Sequence, residues 1–179
     1  MYKNALLATA PGEELFRIFY YDCPPYSGKE ANPINQAIVD FQAQPKYTAR
    51  TRFIKELKAM NYVAMRLGMA KKRGWTLTDL YIRRTIAGGA PVAPQASDVF
   101  VNLEQKGVDM RIGIDVATLT LKKIVDRIIL ISGDTDMIPA MKLARREGVQ
   151  VVLIELAQSQ VHSELDEDAD LVRCITPTP

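Results

Sequence analysis

The sequence predicts an α/β fold with a parallel sheet, and four stretches of its distal half predict it. In DRIILIS, residues 126–132, the run Ile128 to Ile131 is apolar without alternation, as expected of a parallel strand covered on both faces. VQVVLIEL, residues 149–156, is a second buried strand, and the stretch between them, about 136–147, is a helix closed by Gly148, a favoured C-terminal residue. A helix from about 110 to 123 precedes both. There Ile112, Val116 and Leu119 recur at i, i+4, i+7, and Lys122 and Lys123 close the last turn, where cations suit the helix dipole. Helix, strand, helix, strand with connections this short means βαβ units.

The remaining elements follow in chain order. LFRIFYYD, 15–22, is rich in aromatic and β-branched residues and reads as a strand ending near Asp22. Residues 33–44 have helical character, which Pro45 should break or kink. Residues 47–60 place Phe53, Leu57 and Met60 on one face of an amphipathic helix whose other face carries Arg50, Arg52, Lys55 and Lys58. NYVAMRLGM, 61–69, alternates as a strand does, and KKRG, 71–74, then turns the chain. WTLTDLYI suits a strand or a short helix. TIAGGAPVAPQAS, 85–97, combines Gly, Pro and Ala with almost no charge, the mark of a loop. SELDEDADLVRCI, 163–175, adds a short acidic helix and a last edge strand, and no internal repeat is visible.

A length of 179 residues supports one domain, residues 1–179, with a substantial core, and 47% hydrophobic with 25% charged residues is ordinary for a globular protein. No stretch approaches the roughly 20 apolar residues that span a bilayer, and the first residues lack a signal-peptide layout, so the cytoplasm is the expected location. Cys23 and Cys174 form no CxxC pair and are expected as reduced thiols. The single histidine, His162, argues against a His-rich metal site and a Ser/His/Asp triad while leaving a Cys/His pair open. Chemistry therefore leans on carboxylates. Charge is also segregated: residues 46–84 hold eleven basic and two acidic residues, residues 103–170 thirteen acidic and eight basic. That polarity suits a polyanion gripped by the first and processed in the second, and it equally suits a solvated basic helix face.

SGDTD, 132–136, follows the DRIIL strand, and in an open parallel sheet ligands collect at the carboxyl ends of strands. Gly133 permits a sharp turn, and Asp134 and Asp136 return to the same side. Two carboxylates so close repel unless a cation lies between them, and hard oxygen donors favour Mg2+ or Mn2+ over zinc. One of these residues could instead cap the following helix, worth about 1 kcal/mol, although a cap needs a single acid. Asp109 stands at the start of the 110–123 helix, as a cap or as a further ligand. Asp115 lies about 120° from it around the helix, so the two cannot both point at one ion.

QKGVD, 105–109, and IDVATLTLKKIVDRIILISGDTDMIPAMKLARREGVQVVLI, 114–154, resemble the distal half of the NYN domain family of PIN-like nucleases, including its LabA-like branch; RIFYYDCPPY, 17–26, resembles an early strand of that branch. The resemblance implies a three-layer, Rossmann-like α/β fold with a central, mostly parallel sheet. It also implies an acidic cluster binding divalent metal for phosphodiester hydrolysis, usually of RNA, with the family's acids falling on Asp109, Asp134 and Asp136. Family members begin with a strand ending in Asp within a pattern like I-D-G-x-N, and nothing of that kind stands before LFRIFYYD. Either the chain is shortened at its start or the strand is lost; in the second case FRIFYYD would slide in beside DRIILIS and bring Asp22 toward Asp134, or a partner chain, as in a homodimer, would fill the gap.

On this reading Asp109, Asp134 and Asp136, with Asp22 conditionally, hold Mg2+ or Mn2+ against a scissile phosphate. Ser132 and Thr135 orient water or a phosphate oxygen, and Arg50, Lys55, Lys71, Lys72 and Arg73 hold the RNA backbone. Tyr47, Trp75 and Tyr81 are either stacking platforms for a single strand or ordinary core and surface residues. The rival reading is a non-catalytic module that binds RNA or a protein partner. A DxD-type phosphatase is the third, with Asp22 the sole residue placed to be its nucleophile.

Overall fold

The structure, a computed structural model, describes residues 8–88, 92–156 and 163–176. Their strands are β1 (Ile18–Asp22), β2 (Lys29–Ala31), β3 (Ile38–Asp40), β4 (Val63–Leu67), β5 (Met69–Leu77), β6 (Val99–Lys106), β7 (Arg127–Leu130), β8 (Gln150–Leu156) and β9 (Leu171–Ile175). The helices are α1 (Pro45–Lys58), α2 (Asp79–Gly88), α3 (Val108–Leu121), α4 (Ile138–Arg146) and α5 (Ser163–Glu167). The α/β class is as expected. The described strands form a three-stranded sheet β7-β8-β9 and three two-stranded ladders, β1-β4, β2-β3 and β5-β6.

Contacts divide the chain into two compact units, residues 1–21, 57–66 and 107–179 in the first and residues 22–56 and 67–106 in the second. The first contains the βαβ arrangement. β7 and β8 run parallel in the register Arg127↔Gln150 to Leu130↔Leu153, with α4 between them in sequence, and β9 adds parallel to β8. Alternation along β8 separates two faces. Val151 and Leu153 pack with Val116 of α3, Met141 and Ala144 of α4, and Leu165 of α5. Val152 and Ile154 face the other way, against Ala8. α4 owes its place to Met137, Met141 and Ala144 at i, i+4, i+7, and it stops at Gly148, whose φ of 86° is the left-handed conformation a glycine reaches without strain. Glu13 clamps the two outer strands: its carboxylate accepts from Arg173 of β9 at 2.6 and 3.0 Å and pairs with Arg127 of β7. Arg173, the backbone N–H of Ala10 and Arg127 together hold its pKa down at about 2.

Several expectations are corrected. β1 pairs with β4, and the described neighbour of β7 is β8, so FRIFYYD does not slide in beside DRIILIS. Residues 33–44 are not a helix. Asn32 closes a β2-β3 hairpin, its N–H donating to Ala37 O at 2.8 Å while its side-chain oxygen accepts from Ile34 N at 2.9 Å. Such an Asx turn competes with helix locally. Pro45 begins α1, where a missing N–H costs nothing, and breaks no helix. KKRG does not turn the chain: β5 runs through it against β6, with an irregularity at Lys72/Gly74 where Gly74 adopts φ 122°. WTLTDLYI supplies the end of β5 and the start of α2. α2 takes up residues 85–88 of the expected loop, of which residues 89–91 lie outside the described residues, as does His162.

Candidate active site

β7 delivers the chain to the SGDTD segment. Asp134 N–H donates to the Ser132 hydroxyl at 3.1 Å, and Asp134 Oδ1 accepts from Asp136 N at 3.0 Å, capping a short 3-10 turn, Thr135–Met137, that leads into α4. Met137 is buried and pins that turn to the core, while Asp134 and Asp136 stay exposed. Asp134 is thus the cap, and Asp136 is the second acid that a cap does not need. Gly133 has no left-handed φ and nothing within 4 Å of where a Cβ would stand, so the turn does not require a glycine.

Asp109 is positioned by a different element. Gly107, at φ 75°, lets the chain pass from β6 into α3 through one residue, which places Asp109 in the first turn of α3, exposed and making no cap bond. α3 packs against both the Thr135–Met137 turn and α4, on the one face of the β7-β8-β9 sheet that Val151 and Leu153 line.

Pairing sorts the candidate acids. Asp115 receives Arg66 Nε at 2.7 Å and the Tyr21 hydroxyl at 3.0 Å, with Arg66 also 5.2 Å from the Phe19 ring centroid. Burial first, and then the Asp115 charge, push the Tyr21 phenol well above its usual range. Asp22 is buried, accepts from Cys23 N at 2.7 Å and is ion-paired with Arg50. Asp109 and Asp136 have no hydrogen-bonded or ionic side-chain partner among the described residues, and Asp134 has one oxygen engaged as the cap. Among the described residues no three His, Cys, Asp or Glu side chains are gathered as a metal-holding group.

The basic candidates divide the same way. Arg50 pairs with Asp22, Lys72 with Glu30 and Arg73 with Glu104, whereas Lys55 and Lys71 have no ion pair among the described residues. Glu104 is held at about pKa 2 by Arg73 and Lys106. Tyr81 is buried in the second unit, its hydroxyl donating to Val92 O and its ring beneath Arg84, so it offers no stacking face; Tyr47 and Trp75 are half-buried. Both cysteines are free, and burial raises the pKa of the Cys23 thiol. The Arg66–Asp115 pair spans 49 residues of sequence and carries no local signal that could have announced it.

Residues 32–175 match the NYN domain family model. The chain belongs to the NYN domain family. NYN domains are PIN-like α/β domains and are generally nucleases acting on RNA. No curated protein and no solved structure shows a significant match to the chain. Among the described residues of this NYN protein no helix is long and apolar enough to cross a membrane.

Proposed function

We propose that this NYN protein, a single domain over residues 1–179 of the LabA-like branch with a three-layer plan, is a metal-dependent ribonuclease. What supports the reading is that Asp109, Asp134 and Asp136 are exposed and have no arginine or lysine ion pair among the described residues, that the helix and turn bearing them pack against each other, and that the chain belongs to a nuclease family. Their donor type, oxygen with neither thiolate nor imidazole, fits Mg2+ or Mn2+. When bound, such an ion polarises a phosphate and lowers the pKa of its water. The chain's own part is to hold Asp134 by the Asp136 N–H and Asp136 by the Met137 anchor. In this reading the Thr135 hydroxyl orients a phosphate oxygen, and Ser132 fixes the turn through the bond it accepts from Asp134 N. Lys55 and Lys71 attract the backbone. Asp22, buried and tied to Arg50, holds that cation in place, and with β1 paired to β4 it is no longer a candidate ligand. A second copy pairing along the outer edge of β7, which gives a homodimer, and a cytoplasmic location belong to the same proposal.

Incubation with labelled single-stranded RNA and Mn2+ is the test. Cleavage that EDTA stops and Asp134→Asn abolishes is expected. Salt-sensitive binding without cleavage would favour the rival, a non-catalytic NYN module, which draws support from no three metal-ligating side chains being gathered among the described residues.

A further inference from the structure

The second unit carries an open groove of about 660 Å3, within the roughly 300–1,000 Å3 typical of small-ligand sites. Its walls are aromatic and its rim is cationic. One wall is α1, where Lys46, Ala49, Arg50 and Phe53 fall within about 100° of helix circumference, with Tyr47 beside them. The opposing side is formed by Pro25, Tyr26 and Phe41, with Gln44 and Leu103 completing it. Tyr26 and Phe41 meet edge to face, centroids 5.3 Å apart at 76°, and the Tyr26 hydroxyl donates to Glu30 Oε1 at 2.5 Å, which fixes the ring. Arg50 is held from behind by the buried Asp22 and stands 5.4 Å from the Phe53 ring centroid.

Four aromatic side chains left half-buried together are not a finished core. No carboxylate lines the groove, and Lys46 has no ion pair among the described residues. We infer that this groove binds unpaired bases of single-stranded RNA, the rings stacking on base faces while Lys46 and Arg50 receive the phosphates. A duplex hides its base faces in the stack, so the same walls have little to offer it. The Gln44 amide and the Tyr47 hydroxyl are neutral groups there able to hydrogen-bond a base edge. A neutral peptide suits the groove less well, because Lys46, which has no ion pair among the described residues, favours a polyanion. The inference rests on RNA being the substrate of the proposed nuclease, and it supplies the substrate class.

The test uses the full chain in EDTA, so that no cleavage intervenes, and follows anisotropy of a short labelled oligoribonucleotide. Tyr47→Ala is expected to weaken binding about tenfold while Tyr47→Phe, which keeps the ring, retains it. Lys46→Glu is expected to weaken binding and to lower its salt dependence by about one counterion. The single strand should bind more tightly than the same RNA in a duplex. Unchanged affinity in both Tyr47→Ala and Lys46→Glu, or equal binding of duplex, overturns the inference and leaves a protein segment as the occupant. RNA held in this groove without Mn2+-dependent cleavage supports the inference and sinks the nuclease reading; cleavage with KM unaltered by Tyr47→Ala does the reverse.

Discussion

Asp134 is both a cap and a proposed ligand, and two substitutions separate the roles. Its Oδ1 accepts the Asp136 N–H at 3.0 Å. Asparagine offers the same oxygen at the same reach, so Asp134→Asn keeps the cap and removes only the charge; the expected change in stability is within about 0.5 kcal/mol. Alanine removes the cap as well, costing about 1 kcal/mol, which for a chain of this size lowers Tm by about 2–4 °C. Thermal unfolding by circular dichroism in EDTA measures both. Adding Mn2+ then reads the ligand role, because a cation bound only by the native state stabilises by about 2.7 kcal/mol at a hundredfold excess over Kd. The wild type should gain that increment and both variants should lose most of it. An Asn variant as unstable as the Ala variant refutes the cap; an Asn variant that keeps the full Mn2+ shift refutes the ligand.

Other perturbations have equally definite outcomes. Glu13 has a folded pKa of about 2 against an ordinary 4.5, so its contribution to stability is complete above pH 4.5 and is lost as pH falls toward 2; Glu13→Gln should lower Tm at neutral pH and flatten the acid limb of the pH–stability curve in that window. Gly107→Ala forces a Cβ into a left-handed φ of 75° and should cost about 1–2 kcal/mol by denaturant unfolding, whereas Gly133→Ala should be near neutral. Lys55→Glu and Lys71→Glu should weaken RNA binding, with a shallower salt slope and unchanged Tm; Lys72→Ala should also lower Tm, because it removes the counter-charge of the buried Glu30 and leaves it the Tyr26 hydroxyl.

The distal half was legible because its signals are local. The unalternating Ile128–Ile131 run, the Met137, Met141 and Ala144 stripe and Gly148 each name their element within a few residues. Residues 33–44 were misread because the Asn32 turn and the β2-β3 pairing outweigh a helical pattern that lacks a buried face to pack. KKRG was misread because β6, unrecognised in sequence, is what holds those charged residues in a strand. At the site, the positions of Asp109, Asp134 and Asp136 were visible in QKGVD and SGDTD. Pairing was not: Asp22 is tied to Arg50 across 28 residues and Asp115 to Arg66 across 49, contacts only the fold creates. The groove had one faint sign, the Lys46, Arg50, Phe53 spacing along a single helix, whose opposite wall comes from elsewhere in the chain.

Whether carboxylates from separate elements share one ion is decided by titrating Mn2+ into the metal-free protein and following free Mn2+ by electron paramagnetic resonance. One tight site is expected in the wild type, weakened severalfold or more by Asp109→Asn alone and by Asp136→Asn alone. A tight site indifferent to Asp109→Asn, or no tight site in the wild type, contradicts a shared cation and with it the catalytic assignment.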